Sequence, residues 1–296
     1  KFAPVSQIDY LLPNDLVIGV RVGEEVRAYP HPILDWHEIV NDKIGGKALA
    51  ITYCPLTGTG IGWERVVNGF ETTFGVSGLL YNTNLIPYDR ETDSNWSQML
   101  LRSVNGPRAG TAVTTYPVVE MEWNTWKAMF PNSQVMTTET GFNRNYGSFP
   151  YGSYKTDHDF LLFPVRPDDE RLPRKQRGLG IIVGGEARFY PFDRFDAPVV
   201  VRQDVFQNIQ LVVVGSGPQN FLTAYERQLP DGTLPDFTAI NETGNPVVMT
   251  DNEGNQWNLF GEAVSGPRQG TALTAVESFI GYWFAWGAFY PGLDIY

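Results

Sequence analysis

GVRVGEEVRAYP at residues 19–30 and GIIVGGEARFYP at residues 180–191 share Gly, Val, Gly, Glu, Arg, Tyr and Pro in register, displaced by 161 residues. Each alternates on both sides of a short polar break, Gly23-Glu24 or Gly184-Gly185, the pattern of two antiparallel strands joined by a tight turn. VNGPRAGTA at 104–112 returns with seven unchanged anchors, Val264, Gly266, Pro267, Arg268, Gly270, Thr271 and Ala272, in 264–272, displaced by 160 residues. Two separated matches at nearly one displacement indicate an internal duplication. The expected fold is therefore mainly β with short helices, two fused repeats packed as one body. The first repeat spans 1–131, a connection 132–177, and the second repeat 178–296.

Outward from these hairpins, KALAITYC at 47–54 reads as a strand, and ILDWHEIVND at 33–42 is open between strand and helical turn. GIGWERVV and FETTFGVS flank Asn68-Gly69, whose positive φ preference suits a type I′ hairpin turn, and a further strand is expected through Trp96 to Val104. Trp123, Trp126, Met129 and Phe130 stand at helical spacing before Pro131, as do Trp283, Trp286, Phe289 and Tyr290 before Pro291, so each repeat should end in a short aromatic helix.

A formal charge of −11 with no Lys/Arg cluster excludes a nucleic-acid partner, which needs grouped cations for phosphates, and disfavours anionic membranes. No run approaches the roughly 18 apolar residues of a transmembrane helix. A first residue of Lys1, 14% aromatics and few lysines suit an exported protein, extracellular or periplasmic, whose leader was removed or whose chain was trimmed. Cys54 is the sole cysteine, which excludes an internal disulfide.

The chemistry is concentrated in the first repeat, because the matching stretches of the second lack its His and Cys. His37 and Cys54, with His31 as a third member, offer the imidazole and thiolate donors of a copper or zinc site, and Glu38, Asp42 or Asp89 complete such a shell. The same Cys–His pair is also the core of a nucleophilic enzyme, with Gly58-Thr59-Gly60 amides at the oxyanion; Pro55 removes the donor most often used there. A buried structural Cys and a hydrogen-bonded structural His fit the same residues. Asp89, Glu91 and Asp93, echoed by Asp251 and Glu253, place oxygens at every second residue, as calcium loops do and as ordinary polar turns also do. Glu38, Asp42, Ser77, Asn82, Arg90 and Gln98 are candidate pocket residues for a small ligand of unknown identity. A third class is a self-associating structural subunit, a homo-oligomer or filament, held by the aromatic residues near the C-terminus.

DYLLPNDLVIGV, RAYPHPILDWHEIVND, ITYCPLTGTG, FGVSGLLYN and YDRETDSNWSQ together resemble the DUF3179 family of unknown function. The resemblance implies that the family's recurrent His and Cys are His37 and Cys54, and that Thr57 stands where many members carry a second cysteine. It implies no activity.

Overall fold

A computed structural model describes residues 1–296. Strand makes up 44% of the chain and helix 9%, so the mainly β expectation holds. No helix is long and apolar enough to cross a membrane.

Leu16–Val22 and Glu25–Pro30 pair antiparallel around Gly23, which takes φ 57°. Val119–Glu122 adds to one edge antiparallel, and Gln134–Met136 to the other parallel, with Phe2–Pro4 outside it. Arg177–Val183 and Glu186–Pro191 form the corresponding hairpin. It is flanked in the same order by antiparallel Glu277–Tyr282 and parallel Asp294–Ile295. The next sheets also correspond: Ile39–Ile44, Lys47–Cys54 and Thr59–Glu64 against Val200–Phe206, Ile209–Ser216 and Phe221–Glu226. Phe74–Tyr81, Asn84–Asp89, Asn95–Ser97 and Arg102–Asn105 then run as Phe237–Ala239, Val247–Asp251, Gln256–Asn258 and Ala263–Ser265.

Three short helices complete the fold: α1 (His31–His37), α2 (Trp123–Met129) and α3 (Trp283–Phe289). The residues shared by the two hairpins have structural causes. Gly19 lies under the Trp126 ring, where a Cβ would meet Cζ3 at 1.9 Å, and Gly180 lies under Trp286, where it would meet Cζ2 at 2.2 Å. Arg27 and Tyr29 both bind Asp42, at 2.7 and 2.6 Å, and Arg188 and Tyr190 bind Asp204 at the same two distances. Asp42 is thus a clamp between strands.

Helices α2 and α3 join the two halves, whereas α1 packs on strands of the first half. One apolar core packs Cys54, Trp63, Phe74 and Trp96 with Phe279, Trp283 and Trp286; another packs Met121, Trp123 and Trp126 with Val212, Phe221 and Trp257. Buried aromatics of α3 therefore fill the first half's core, and the C-terminal aromatic stretch is largely unavailable as an outer surface: Trp283 and Trp286 are fully buried and Phe289 nearly so.

Two expectations about strands change. Trp96 to Val104 is two strands, Asn95–Ser97 and Arg102–Asn105, with Leu101 in the left-handed region between them. The Asn68-Gly69 turn forms, but its ladder is only Val66–Val67 with Phe70–Glu71. Buried Arg65 donates to Leu49, Thr72 and Asp42 carbonyls, which draws the flanking chain into other sheets. The connection 132–177 contains one strand, Gln134–Met136, and is otherwise loop. Buried Lys175 organises it by donating to the carbonyls of Tyr154, Asp157 and Phe160.

Candidate functional site

Helix α1 follows directly from the Glu25–Pro30 strand, so its first residue, His31, faces the gap between the halves. His31 is 3% exposed. Its Nε2 lies 3.1 Å from Glu120 Oε2, and its ring packs 4.2 Å, centroid to centroid, from Tyr53. Arg177, from the second half, binds the other Glu120 oxygen and also Asn220. Burial alone would raise the Glu120 carboxyl, but Arg177 and His31 outweigh it and hold it below the usual range.

One helical turn after His31, Asp35 is 6% exposed. Lys155, from the connection, donates to its Oδ2 at 2.9 Å, while Oδ1 has no hydrogen-bond partner. Burial raises the Asp35 carboxyl against the opposing charges of Lys155 and His31. His31, Asp35 and Lys155 line a cleft of about 270 Å³, walled on the connection side by Tyr146, Ser148 and Phe149.

Beside this cluster lies a second polar set, wholly inside the protein. Thr59 Oγ1 donates to Gln98 Oε1 at 2.7 Å; Asn84 Nδ2 reaches Thr57 and Gln98, and Gln98 Nε2 reaches Thr52 Oγ1 at 3.0 Å. Every one of these side chains is fully buried. The pairings Leu49↔Glu64 and Leu211↔Glu226 put Thr52 opposite Val214 and Thr59 opposite Phe221 in the two ladders, and Gln98 and Leu259 each stand two residues past a buried Trp. The second half thus has an apolar core where the first has hydrogen-bonded polar groups. The same holds around His31, whose place is taken by Phe192, and around Glu120, whose place is taken by Ile280. Buried polar groups gain far less from burial than apolar ones, so a one-sided concentration of them marks a candidate site.

The residues expected to form a metal or nucleophilic centre each bond to different partners. Helix α1 ends at Glu38, whose φ of 58° turns the chain sharply. His37 Nε2 meets Tyr146 Oη at 2.7 Å and packs against Phe142; burial and the Arg144 charge lower its basicity. Cys54 is 1% exposed, with Sγ 3.7 Å from the Thr83 carbonyl. Burial, then the nearby Glu38 charge, pushes the thiol up despite donors on Thr57 and Leu85, so the sulfur is held as a thiol. Glu38 is itself raised by burial to about 7, and Tyr151, Tyr154 and Tyr282 also lie within reach of the thiol. His31 belongs to the Glu120 cluster. No group of three or more His, Cys, Asp or Glu side chains is arranged to hold a metal ion.

The alternating acids serve their own loops. Asp89 accepts from Thr92 N and Trp96 Nε1, at 2.8 and 2.9 Å, and Asp251 accepts from Asn255 N and Trp257 Nε1, both at 2.9 Å. Glu91 and Asp93 are exposed, and Glu253 pairs with Arg268. Acceptors already filled by protein donors make polar turns rather than calcium loops. Ser77 donates to the Ile86 carbonyl, Asn82 to that of Arg166 and Arg90 to that of Phe74, so these three fasten the Phe74–Tyr81 strand and its turn; Gln98 alone of the expected pocket set enters the buried polar network.

Asp35, Glu120, Lys155 and Arg177 were not singled out from sequence. One signal was present: aligning VVEMEW at 118–123 with SFIGYW at 278–283 on their tryptophans sets Glu120 against Ile280, a charge where the other copy is apolar.

Fold and site together define a mainly β protein with two similarly connected halves and a single buried ionic cluster where they meet. The chain belongs to the DUF3179 family, "Protein of unknown function", whose family model matches residues 1–293. No curated protein and no solved structure matches it.

Proposed function

We propose that the cleft beside α1 binds a small, neutral, hydroxyl-bearing ligand. The observation that carries this reading is Asp35 Oδ1, a buried carboxylate oxygen without a partner on the wall of the 270 Å³ cleft. The ion pairs of Asp35 with Lys155 and of Glu120 with His31 and Arg177 leave no free cation there, and Asp15 adds a carboxylate to the wall, which disfavours an anion and favours a polar ligand without net charge. Tyr146 and Phe149 supply aromatic surface for its apolar faces. Saturation-transfer NMR with glucose and glycerol as probes tests this. Transfer to at least one probe, reduced about tenfold in affinity by Asp35→Ala, is expected; no transfer, or transfer indifferent to Asp35, rejects the reading.

The shared strand orders, the glycine–tryptophan packing and the Arg–Tyr–Asp clamps support descent of both halves from one duplicated unit, with binding retained by the first alone. Export rests on composition and is tested by fractionating cells that express the full-length gene.

A second reading, self-association, is favoured by one surface. The Phe74–Tyr81 strand ends its sheet with a single neighbour and exposes Val76, Leu79, Leu80 and Tyr81. Exposed Leu162 and Phe163 lie close by, the Phe163 carbonyl accepting from Thr83 Oγ1. No charged residue stands between Phe74 and Tyr88 to repel a second strand edge, in a chain of net charge −11. Light scattering of the wild type and of Leu79→Lys separates the outcomes: assembly lost in the variant supports the reading, and a wild-type monomer at all concentrations rejects it.

A further inference from the structure

The two halves meet along two corresponding seams, and only one is closed. In the closed seam, Arg21 pairs with Glu262 at 2.8 Å, its guanidinium lies 6.0 Å from the Phe260 ring, and Phe260 packs against Phe130 at 5.4 Å. The pairings Arg21↔Val26 and Ile182↔Ala187 put Ile182 in the place of Arg21; the bridges Glu262↔Ala272 and Arg102↔Ala112 put Arg102 in the place of Glu262. With an apolar residue facing an arginine, no ion pair draws the second seam together. It stands open as a groove of about 650 Å³.

The floor of the groove is apolar, made by Leu100, Val113, Ile182, Phe289 and Leu293. Its rim carries Arg102, Glu186 and Glu277, none of which has a salt-bridge or side-chain hydrogen-bond partner, although most other arginines of the protein are paired. Arg102 and Glu277 both act on the Tyr290 hydroxyl, with opposite signs, so the two charges flank one point of the groove. Tyr290 itself is fixed by donating to the Met99 carbonyl at 2.9 Å. Unpaired charges of both signs above an apolar floor complement a molecule with an apolar body and two charged ends, and the volume lies within the range of small-ligand sites, roughly 300–1,000 Å³.

We propose that this seam is a second binding site, for short apolar peptides of about two to four residues, with the terminal carboxylate at Arg102 and the terminal ammonium at Glu277 or Glu186. The site is independent of the α1 cleft. Trileucine is the probe, followed by methyl NMR on the full chain, with N-acetylated and C-amidated trileucine as comparisons. Saturable shifts at Leu100, Val113 and Ile182 are expected, weakened about fivefold or more by either cap and by Arg102→Gln, an exposed substitution that leaves the core intact. The double variant Ile182→Arg/Arg102→Glu rebuilds the ion pair of the closed seam and should abolish the shifts while retaining a wild-type melting curve. Absence of saturation, shifts indifferent to both caps and to Arg102→Gln, or groove residues that respond only to protein concentration through dimerisation would each overturn the proposal.

Discussion

Glu38 combines a left-handed backbone with a carboxyl raised to about 7 by burial, one residue beyond α1. Below the ordinary glutamate value of 4.5 the group is neutral in both folded and unfolded chains, and above about 7 it is charged in both; between them only the unfolded chain ionises freely. Its ionisation therefore removes stability as pH rises through that window. Glu38→Gln, which stays neutral, should melt like the wild type at pH 4.5 and be more stable by about 1–3 kcal/mol at pH 8, measured by urea unfolding. Gly19 is a second position where a single atom matters. Gly19→Ala drives a Cβ into the Trp126 ring and should lower stability by about 1–3 kcal/mol in the same assay, with Gly180→Ala behaving alike under Trp286.

Among elements, those set by local pattern were legible before any coordinates: both Gly-centred hairpins, the strand 47–54 and the two aromatic helices. What sequence did not disclose depends on contacts made across the chain. Glu120 meets Arg177 from a strand far along the sequence, and His37 takes Tyr146 of the connection as its partner, a contact that no residue pattern marks. The ionic cluster of α1 and its two facing strands has a built-in comparison, because the corresponding positions of the other half hold Phe192, Ile280 and, for Arg177, Leu16. Glu120→Ile alone strands the partly buried Arg177 guanidinium and leaves buried His31 without its acceptor, and should cost about 2–4 kcal/mol. The triple change His31→Phe/Glu120→Ile/Arg177→Leu should recover that loss and reach or exceed wild-type stability by as much as about 4 kcal/mol, while losing probe binding in the α1 cleft. Guanidinium unfolding compared with saturation transfer reads the two effects separately.

For the molecule as a whole, the cores decide what is a folding unit. Since α2 lies in a core with Trp257 and α3 in a core with Trp63 and Trp96, residues 1–131 expressed alone lack half of each apolar contact set. That fragment should give a far-ultraviolet spectrum with little fixed tertiary signal in the near ultraviolet, and mixing with residues 132–296 should restore it; a fragment that unfolds cooperatively on its own contradicts this account. Sequence comparison revealed that there are two similar lengths of chain, and it was silent on their interleaving, because tryptophan spacing records that a helix has a greasy side and not whose strands receive it.

The exchange of helices also governs what inheritance is able to discard. A trailing half that holds Phe192 and Ile280 where the leading half holds His31 and Glu120 would be dispensable if it merely followed the leading half, like a bead on a string. Here it furnishes the tryptophans that fill its neighbour and the arginine that neutralises Glu120, so shortening the gene at the junction would ruin the leading half as surely as it removes the trailing one.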